Sequence, residues 1–171
     1  MIRPAALVLL LIRILGGLLP ARAQAPSGPA RPADYTLVKT INVSGVSAWT
    51  DTGLDVLVDQ EFWFEATGMI CLQTGNAEAY CGPDGLKVQT LQQPYPEGNL
   101  GGLVGRIRQY VEATEDRVSK EQTVREFGKV FFIGPGGPVK IPADGRLQLG
   151  PNENVTGDND GAFSVRIYRR G

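Results

Sequence analysis

The clearest pattern in the chain lies near its end. Leu147 and Leu149 alternate with Arg146 and Gln148, and Phe163, Val165 and Ile167 alternate with Ser164 and Arg166. A repeat of two marks a strand with one face in a core and the other in solvent, so two closing strands are predicted. Upstream, Tyr35, Leu37, Ile41 and Val43 alternate with Thr36, Thr40, Asn42 and Ser44, with Lys39 breaking the apolar face. A turn is predicted around 49–53, followed by strands over 54–59 and 62–66 that form a hairpin across Asp59, Gln60 and Glu61. Short apolar runs at 69–72, 103–107, 130–133 and 139–141 bring the total to about nine strands. Short strands separated by Gly, Pro and Asx turns predict an all-β chain folded as a β-sandwich.

Composition agrees: 22 Gly and 12 Pro in 171 residues suit a protein of many turns. The segment 109–128 interrupts the pattern. It is charged, and Val111, Val118 and Phe127 make no apolar stripe, so it reads as a solvated insertion, either one surface helix or an extended hairpin. No internal repeat is visible.

The first residues belong to a different regime. Arg3 precedes the apolar stretch 5–19, interrupted by Arg13, and Ala21-Arg22-Ala23 supplies a small-x-small cleavage pattern. Residues 1–23 are therefore read as a secretory signal peptide, with the mature chain starting at Gln24 in a periplasmic or secreted location. Residues 24–34 form a Pro-rich linker. The domain proper is 35–171, enough for one core, and no later stretch is apolar enough to cross a bilayer. The formal net charge of −1 and the lack of a basic patch argue against a nucleic-acid partner.

Cysteine and histidine usage narrows the chemistry. In an exported chain, Cys71 and Cys81 are expected to form a disulfide, worth about 3 kcal/mol in the entropic account of so short a loop. The sequence has no histidine, which removes Ser-His and Cys-His nucleophile pairs. A carboxylate-pair glycosidase would need only Asp and Glu, yet no spacing singles out such a pair. The chain is read as a non-enzyme.

Between the closing strands stand Asn152, Glu153, Asn154, Thr156, Asp158, Asn159 and Asp160. Side-chain oxygens at that density suit a hard cation, calcium above all, which takes six to eight oxygen ligands. The same residue types also build turns by bonding their own backbone. The spacing is not that of an EF-hand.

Several segments in order resemble the PA-I galactophilic lectin family of calcium-dependent β-sandwich lectins and its bacterial exported relatives. They are 68–72 (GMICL), 82–85 (GPDG), 101–107 (GGLVGRI), 131–134 (FFIG), 141–150 (IPADGRLQLG) and 158–167 (DNDGAFSVRI). The resemblance implies a jelly roll like that of galactose-binding domains, with one calcium whose shell is completed by sugar hydroxyls. Carried over by position, it implies calcium ligands at Glu153, Asp158 and Asn159, with backbone oxygens from Leu72 and from Val155 or Thr156. Asn152 and Asp160 would be outer ligands at most. Gln92, Gln93 and Asp158 are the implied sugar contacts. The family's sugar-contacting histidine has no counterpart here, and Leu72 stands where its tyrosine lines the site.

The sequence thus predicts an exported carbohydrate-binding domain that uses Ca2+, with a galactose-type sugar as the expected partner and oligomeric assembly left open. The alternative is a non-catalytic structural or interaction sandwich of the cell envelope, with a structural calcium or none.

Overall fold

The computed structural model describes residues 31–109, 113–115, 122–124 and 127–171, without side-chain detail for 113–115, 122–124 and 127. The segment read as a signal peptide, and most of the one read as a linker, lie outside the described residues. The described residues form eleven strands: β1 Tyr35–Ser44, β2 Thr50–Val56, β3 Glu61–Cys71, β4 Tyr80–Cys81, β5 Leu103–Gln109, β6 Ala113–Glu115, β7 Gln122–Val124, β8 Phe127–Phe132, β9 Gly136–Lys140, β10 Gly145–Pro151 and β11 Asp160–Arg170. One short 3-10 turn, Ala77–Ala79, precedes β4.

Two antiparallel sheets make the sandwich. The first runs β1-β11-β3, with β9 and β4 sharing the far edge of β3; the second runs β2-β10-β5-β8. Inward side chains of both sheets meet in one core. Val43, Phe64, Ile70, Phe163, Val165 and Ile167 from the first sheet face Leu103, Ile107, Leu147 and Leu149 from the second, all fully buried. Each such side chain contributes roughly 1.5–3 kcal/mol by leaving water. The alternation predicted for the two closing strands is realised in β11, where Ser164 and Arg166 point outward between the buried positions; in β10 Gln148 is buried as well as Leu147 and Leu149, its Oε1 accepting from Arg106 at 2.6 Å.

Four expectations need correction. The strand expected at 54–59 starts earlier and runs through the expected turn: β2 covers Thr50–Val56. Gly53, at φ 80°, sits where the β2–β10 register shifts, so the turn-like residues make a bulge instead of a turn. No hairpin joins 54–59 to 62–66, because β2 pairs with β10 whereas β3 pairs with β11, β9 and β4. The link 57–60 crosses between sheets, tied by Asp59 N–H to Ile141 O (2.9 Å) and Ile141 N–H to Gln60 O (2.9 Å). In β1 a register shift between Leu37 and Lys39 leaves Leu37 half exposed instead of in the core. The insertion resolves toward the hairpin reading, since β6 and β7 pair antiparallel with Ala113 opposite Val124.

The expected Cys71–Cys81 disulfide is absent; both are buried free thiols. The register gives the reason. Cys71 lies opposite Tyr80 and Cys81 opposite Ile70, an offset of one residue that sends the two side chains to opposite faces. The Cys71 thiol donates to Gln73 O (3.1 Å), and burial pushes the Cys81 thiol up to about 11, with the Asp84 and Glu153 charges adding. A thiol so protonated is a poor partner in exchange.

The linker's end is not idle. The Arg31 guanidinium lies 3.7 Å from the Tyr168 ring centroid and pairs with Glu65 at 2.9 Å. It thereby flanks a second buried cluster of Tyr35, Trp63 and Tyr168 on the outer face of the first sheet.

β3 is one continuous strand because Gly68 adopts φ 100° in its middle, where a Cβ would stand 2.5 Å from Ala162 O. Gly68→Ala is expected to lose about 2–4 kcal/mol of stability through combined strain and clash. Gly157→Ala, in open space, is expected to stay within about 0.5 kcal/mol. Urea midpoints measured without added metal check both.

Candidate functional site

Loops converge at the end of the sandwich where β1, β3 and β10 finish and β5 and β11 begin. The register of β11 decides which ones meet. Asp160 lies opposite Cys71, and Ala162 opposite Ser44, so 152–159 is set beside 72–79 and beside Gly45. Thr74 ties the first contact, its N–H and Oγ1 both donating to Asp158 O at 2.8 Å. Inside 72–79, the Asn76 side chain caps the 3-10 turn by accepting from Glu78 N–H at 3.1 Å.

The centre of this end is Asn159, a side chain that is 5% exposed. Its Nδ2 donates to Glu153 Oε2 at 2.7 Å and to Gly45 O at 3.0 Å. Its Oδ1 is buried and, among the described groups, has no hydrogen-bond partner. Reversing the amide would place Oδ1 against two acceptors, the Gly45 carbonyl and the Glu153 carboxylate, so the contacts themselves fix the orientation. Glu153 is half-buried. Desolvation raises its pKa above the ordinary value, the Asn159 amide opposes that, and the Asp158 charge adds to it. A desolvated carboxylate and an orphaned amide oxygen therefore stand together on one loop.

Two recesses open on either side of Glu153 and Val155. The larger, about 470 Å³, is lined by Leu72, Gln73, Asn76, Leu100, Glu153 and Asp158 among others. The smaller, about 140 Å³, is lined by Thr90, Gln92, Gln93, Leu100, Glu153, Asn154 and Val155. Among the described residues no three Asp, Glu, Cys or His side chains converge. A cation here would therefore rely on amide and carbonyl oxygens as well as carboxylates, which is how calcium is commonly held.

The predicted site residues divide accordingly. Leu72, Glu153 and Asp158 line the larger recess, and Asn159 lies behind Glu153. Thr156 contributes its backbone oxygen, which accepts from Asn159 N–H at 3.3 Å, a long bond. Asp160 accepts from Gly161 N–H at 2.6 Å and supports the turn. Gln92 is exposed at the rim of the smaller recess. Gln93 is not placed as a free contact. It is buried, its Nε2 donating to Tyr95 O (2.9 Å) and Gly98 O, its Oε1 accepting from Thr90 N–H (3.3 Å).

Asn152 is the functional neighbour that local sequence could not distinguish from Asn154. It is fully buried, and both atoms of its amide are engaged. Its Oδ1 accepts from Tyr95 N–H at 2.8 Å, and its Nδ2 donates to Tyr95 O (2.9 Å) and Asn99 O (3.1 Å). It thus pins the loop 86–100, whose base is closed by Leu86 N–H to Leu100 O at 2.9 Å. Gly101, at φ 73°, lets this loop lie against Leu72, where a Cβ would come within 2.8 Å of its δ carbons.

No family model matches the chain, and no curated protein matches it. Among solved structures, the N-terminal domain of EclA, described as a PllA-like lectin, is similar in fold. The TM-score is 0.53 at 20% sequence identity, over 78% of this chain and 97% of that one. The β-sandwich is therefore one that a lectin also uses.

Asn152→Ala is expected to lose roughly 2–4 kcal/mol, because Tyr95 N–H and Asn99 O lose their side-chain partner and Tyr95 O keeps only Gln93. Faster amide exchange at Tyr95, measured alongside the urea midpoint, would locate the loss in the loop 86–100.

Proposed function

We propose that this chain is an exported, non-catalytic carbohydrate-binding domain of the PA-I galactophilic lectin kind, which grips a sugar through a loop-held calcium. The observation that carries the reading is the buried, unpartnered Asn159 Oδ1 beside the desolvated Glu153 carboxylate. An unsatisfied buried acceptor costs about 1–3 kcal/mol, and a cation relieves it while also neutralising Glu153. The fold shared with a lectin supports the same reading.

In this arrangement Asn159 Oδ1, the carboxylates of Glu153 and Asp158, and the backbone oxygens of Leu72 and Thr156 would hold the ion. Bound calcium would supply open coordination positions for a pair of sugar hydroxyls. The chain's own groups do the rest. Gln92 offers an amide at the rim, and Leu72, Leu100 and Val155 present apolar surface to the sugar's carbon-bound hydrogens. Gln73 and Asn76 add amide groups on the facing loop. Absence of a histidine and the leucine at position 72 separate the sugar contacts from those that the resemblance implies for galactose, so a difference in ligand would arise from these neighbours and not from the ion. Export would follow from the signal peptide at 1–23. Among the described residues no helix is long and apolar enough to cross a membrane.

Thermal unfolding with calcium or chelator tests the reading. Calcium at about a hundred times its dissociation constant is expected to add about 2.7 kcal/mol of stability. Asp158→Ala and Glu153→Ala are each expected to remove most of that shift. Asp160→Ala is expected to keep it while losing of order 1 kcal/mol of baseline stability. No calcium shift in the unaltered chain would leave the alternative, a sandwich with a structural role.

The pH dependence has a definite sign. Desolvation raises the folded pKa of Glu153 above its ordinary value, so the metal-free fold binds the proton more tightly than the unfolded chain does. Metal-free stability attributable to Glu153 is thus complete below that value and declines as pH rises through the folded pKa. Calcium needs the ionised carboxylate, so its stabilising shift is expected to shrink as pH falls from 7 toward about 5. Melting curves across that range with and without calcium provide the measurement.

A further inference from the structure

Outside the calcium position, the loop 86–100 holds one aromatic residue with unusual rigidity. Three bonds from the buried side chains of Asn152 and Gln93 converge on the Tyr95 backbone: Asn152 Oδ1 accepts from its N–H, and Asn152 Nδ2 and Gln93 Nε2 donate to its carbonyl, at 2.8–2.9 Å. Its ring is also held, stacked on Phe132 with centroids 6.3 Å apart and planes 28° from parallel. Phe132 in turn lies against backbone at Gly98, Gly102 and Gly134, where a Cβ would come within 2.7–2.8 Å of its ring. The two half-buried rings and the segment 97–99 enclose an open recess of about 290 Å³, lined by Tyr95, Glu97, Gly98, Asn99 and Phe132. None of these residues lines the two recesses beside Glu153.

We propose that this shelf is a second saccharide subsite, taking a further ring of an oligosaccharide whose terminal sugar sits at the calcium loop. The proposal rests on the carbohydrate-binding reading above and extends it. The polar groups at the recess are acceptor-rich. Glu97 is an exposed carboxylate, already contacted by Tyr95 Oη at 3.3 Å, and Asn99 has its Nδ2 committed to Asp84 O at 2.8 Å. A ligand suited to it brings hydroxyl donors on its edge and an apolar face for the rings, which describes a pyranose. Glu97 repels an anion. The volume lies at the lower end of small-molecule sites, which fits a single ring. Fixing the aromatic before binding removes an ordering cost that a mobile loop would incur. Continuity with the calcium loop comes from Asn152, which grips Tyr95 and immediately precedes Glu153.

Nuclear magnetic resonance titration tests the subsite. The probes are galactose, mannose and fucose, and trisaccharides terminated by each, in calcium and in chelator. A trisaccharide is expected to move the signals of Tyr95, Gly98, Asn99 and Phe132 and to bind about two- to tenfold more tightly than its terminal sugar. Tyr95→Ala is expected to abolish that gain while leaving calcium binding and terminal-sugar affinity unchanged. The variant keeps the loop, because Asn152 and Gln93 hold only the backbone of Tyr95, and its melting curve checks this. Tyr95→Phe is expected to retain the gain, since the stacking face survives. The proposal is overturned if no saccharide moves the shelf signals, if the gain survives in Tyr95→Ala, or if tetramethylammonium moves those signals in place of sugars. Failure of the calcium reading would register separately, as the absence of calcium-dependent changes at Glu153, Asp158 and Asn159.

Discussion

The register of β11 is the constraint on which both the core and the site depend. Its inward residues Phe163, Val165 and Ile167 are fully buried, and it pairs on both edges, with β1 and with β3. A slip of one residue would turn all three outward and bring Ser164 and Arg166 into the core. The same slip would displace Asp160 from Cys71 and Asn159 from Gly45. Hydrophobic burial along one strand thus sets the position of oxygens in a loop that contributes nothing to the core. The loop inherits its accuracy from the sheet.

This coupling explains which parts were legible in the sequence. β11 could be read because it has one buried and one solvated face, so its alternation is local and unambiguous, whereas the polar Gln148 that marked the outer face of β10 is itself covered by Arg106. β2 could not, because its Thr50, Asp51, Thr52 and Gly53 have turn composition; a register shift and a bond from Thr52 Oγ1 to Leu147 O (2.8 Å) keep them in the strand. The supposed hairpin failed for a similar reason. Two adjacent strands were visible, but whether they pair or separate depends on partners about eighty or more residues away. At the site, oxygen density drew attention to the loop holding Glu153, Asp158 and Asn159. It could not separate Asn152, a buried strut, from a ligand, because Tyr95 and Asn99 are remote in sequence. Gln93 was obscured in the same way. The cysteine pair was close in sequence and in space, but the offset of one in strand register is a tertiary fact.

The outer faces of the sheets show the same economy of local pattern and distant partner. Trp63 lies on the solvent side of β3, which a strict inside-out alternation would make polar, yet it is 5% exposed. Tyr35 meets it edge-on at 5.8 Å, and Tyr168 completes the cluster beside Arg31. Surrounding carboxylates and guanidinium groups, Glu61, Glu65 and Arg170, are bonded to one another or to the tyrosines. Exposed pairs of this kind contribute little individually. Their role is to fasten the segment ahead of β1 over aromatic surface that would otherwise face water, so the cluster gains most from burial.

The chemistry at position 159 is the most restrictive of all. An aspartate there would direct carboxylate oxygen at both the Gly45 carbonyl and the Glu153 carboxylate, replacing two hydrogen bonds with two repulsions. An apolar residue would leave Glu153 half-buried without its donor. Only an amide joins these acceptors on one side while presenting an oxygen on the other. Its size matters too, since Gly45 and Glu153 are both reached from one short side chain at 3.0 and 2.7 Å. Asp158 can then remain exposed with its carboxylate unassigned by the fold, because Thr74 holds its backbone oxygen instead of its side chain. The frame is made by the amide and the threonine, and it leaves Asn159 Oδ1 buried without a hydrogen bond among the described groups.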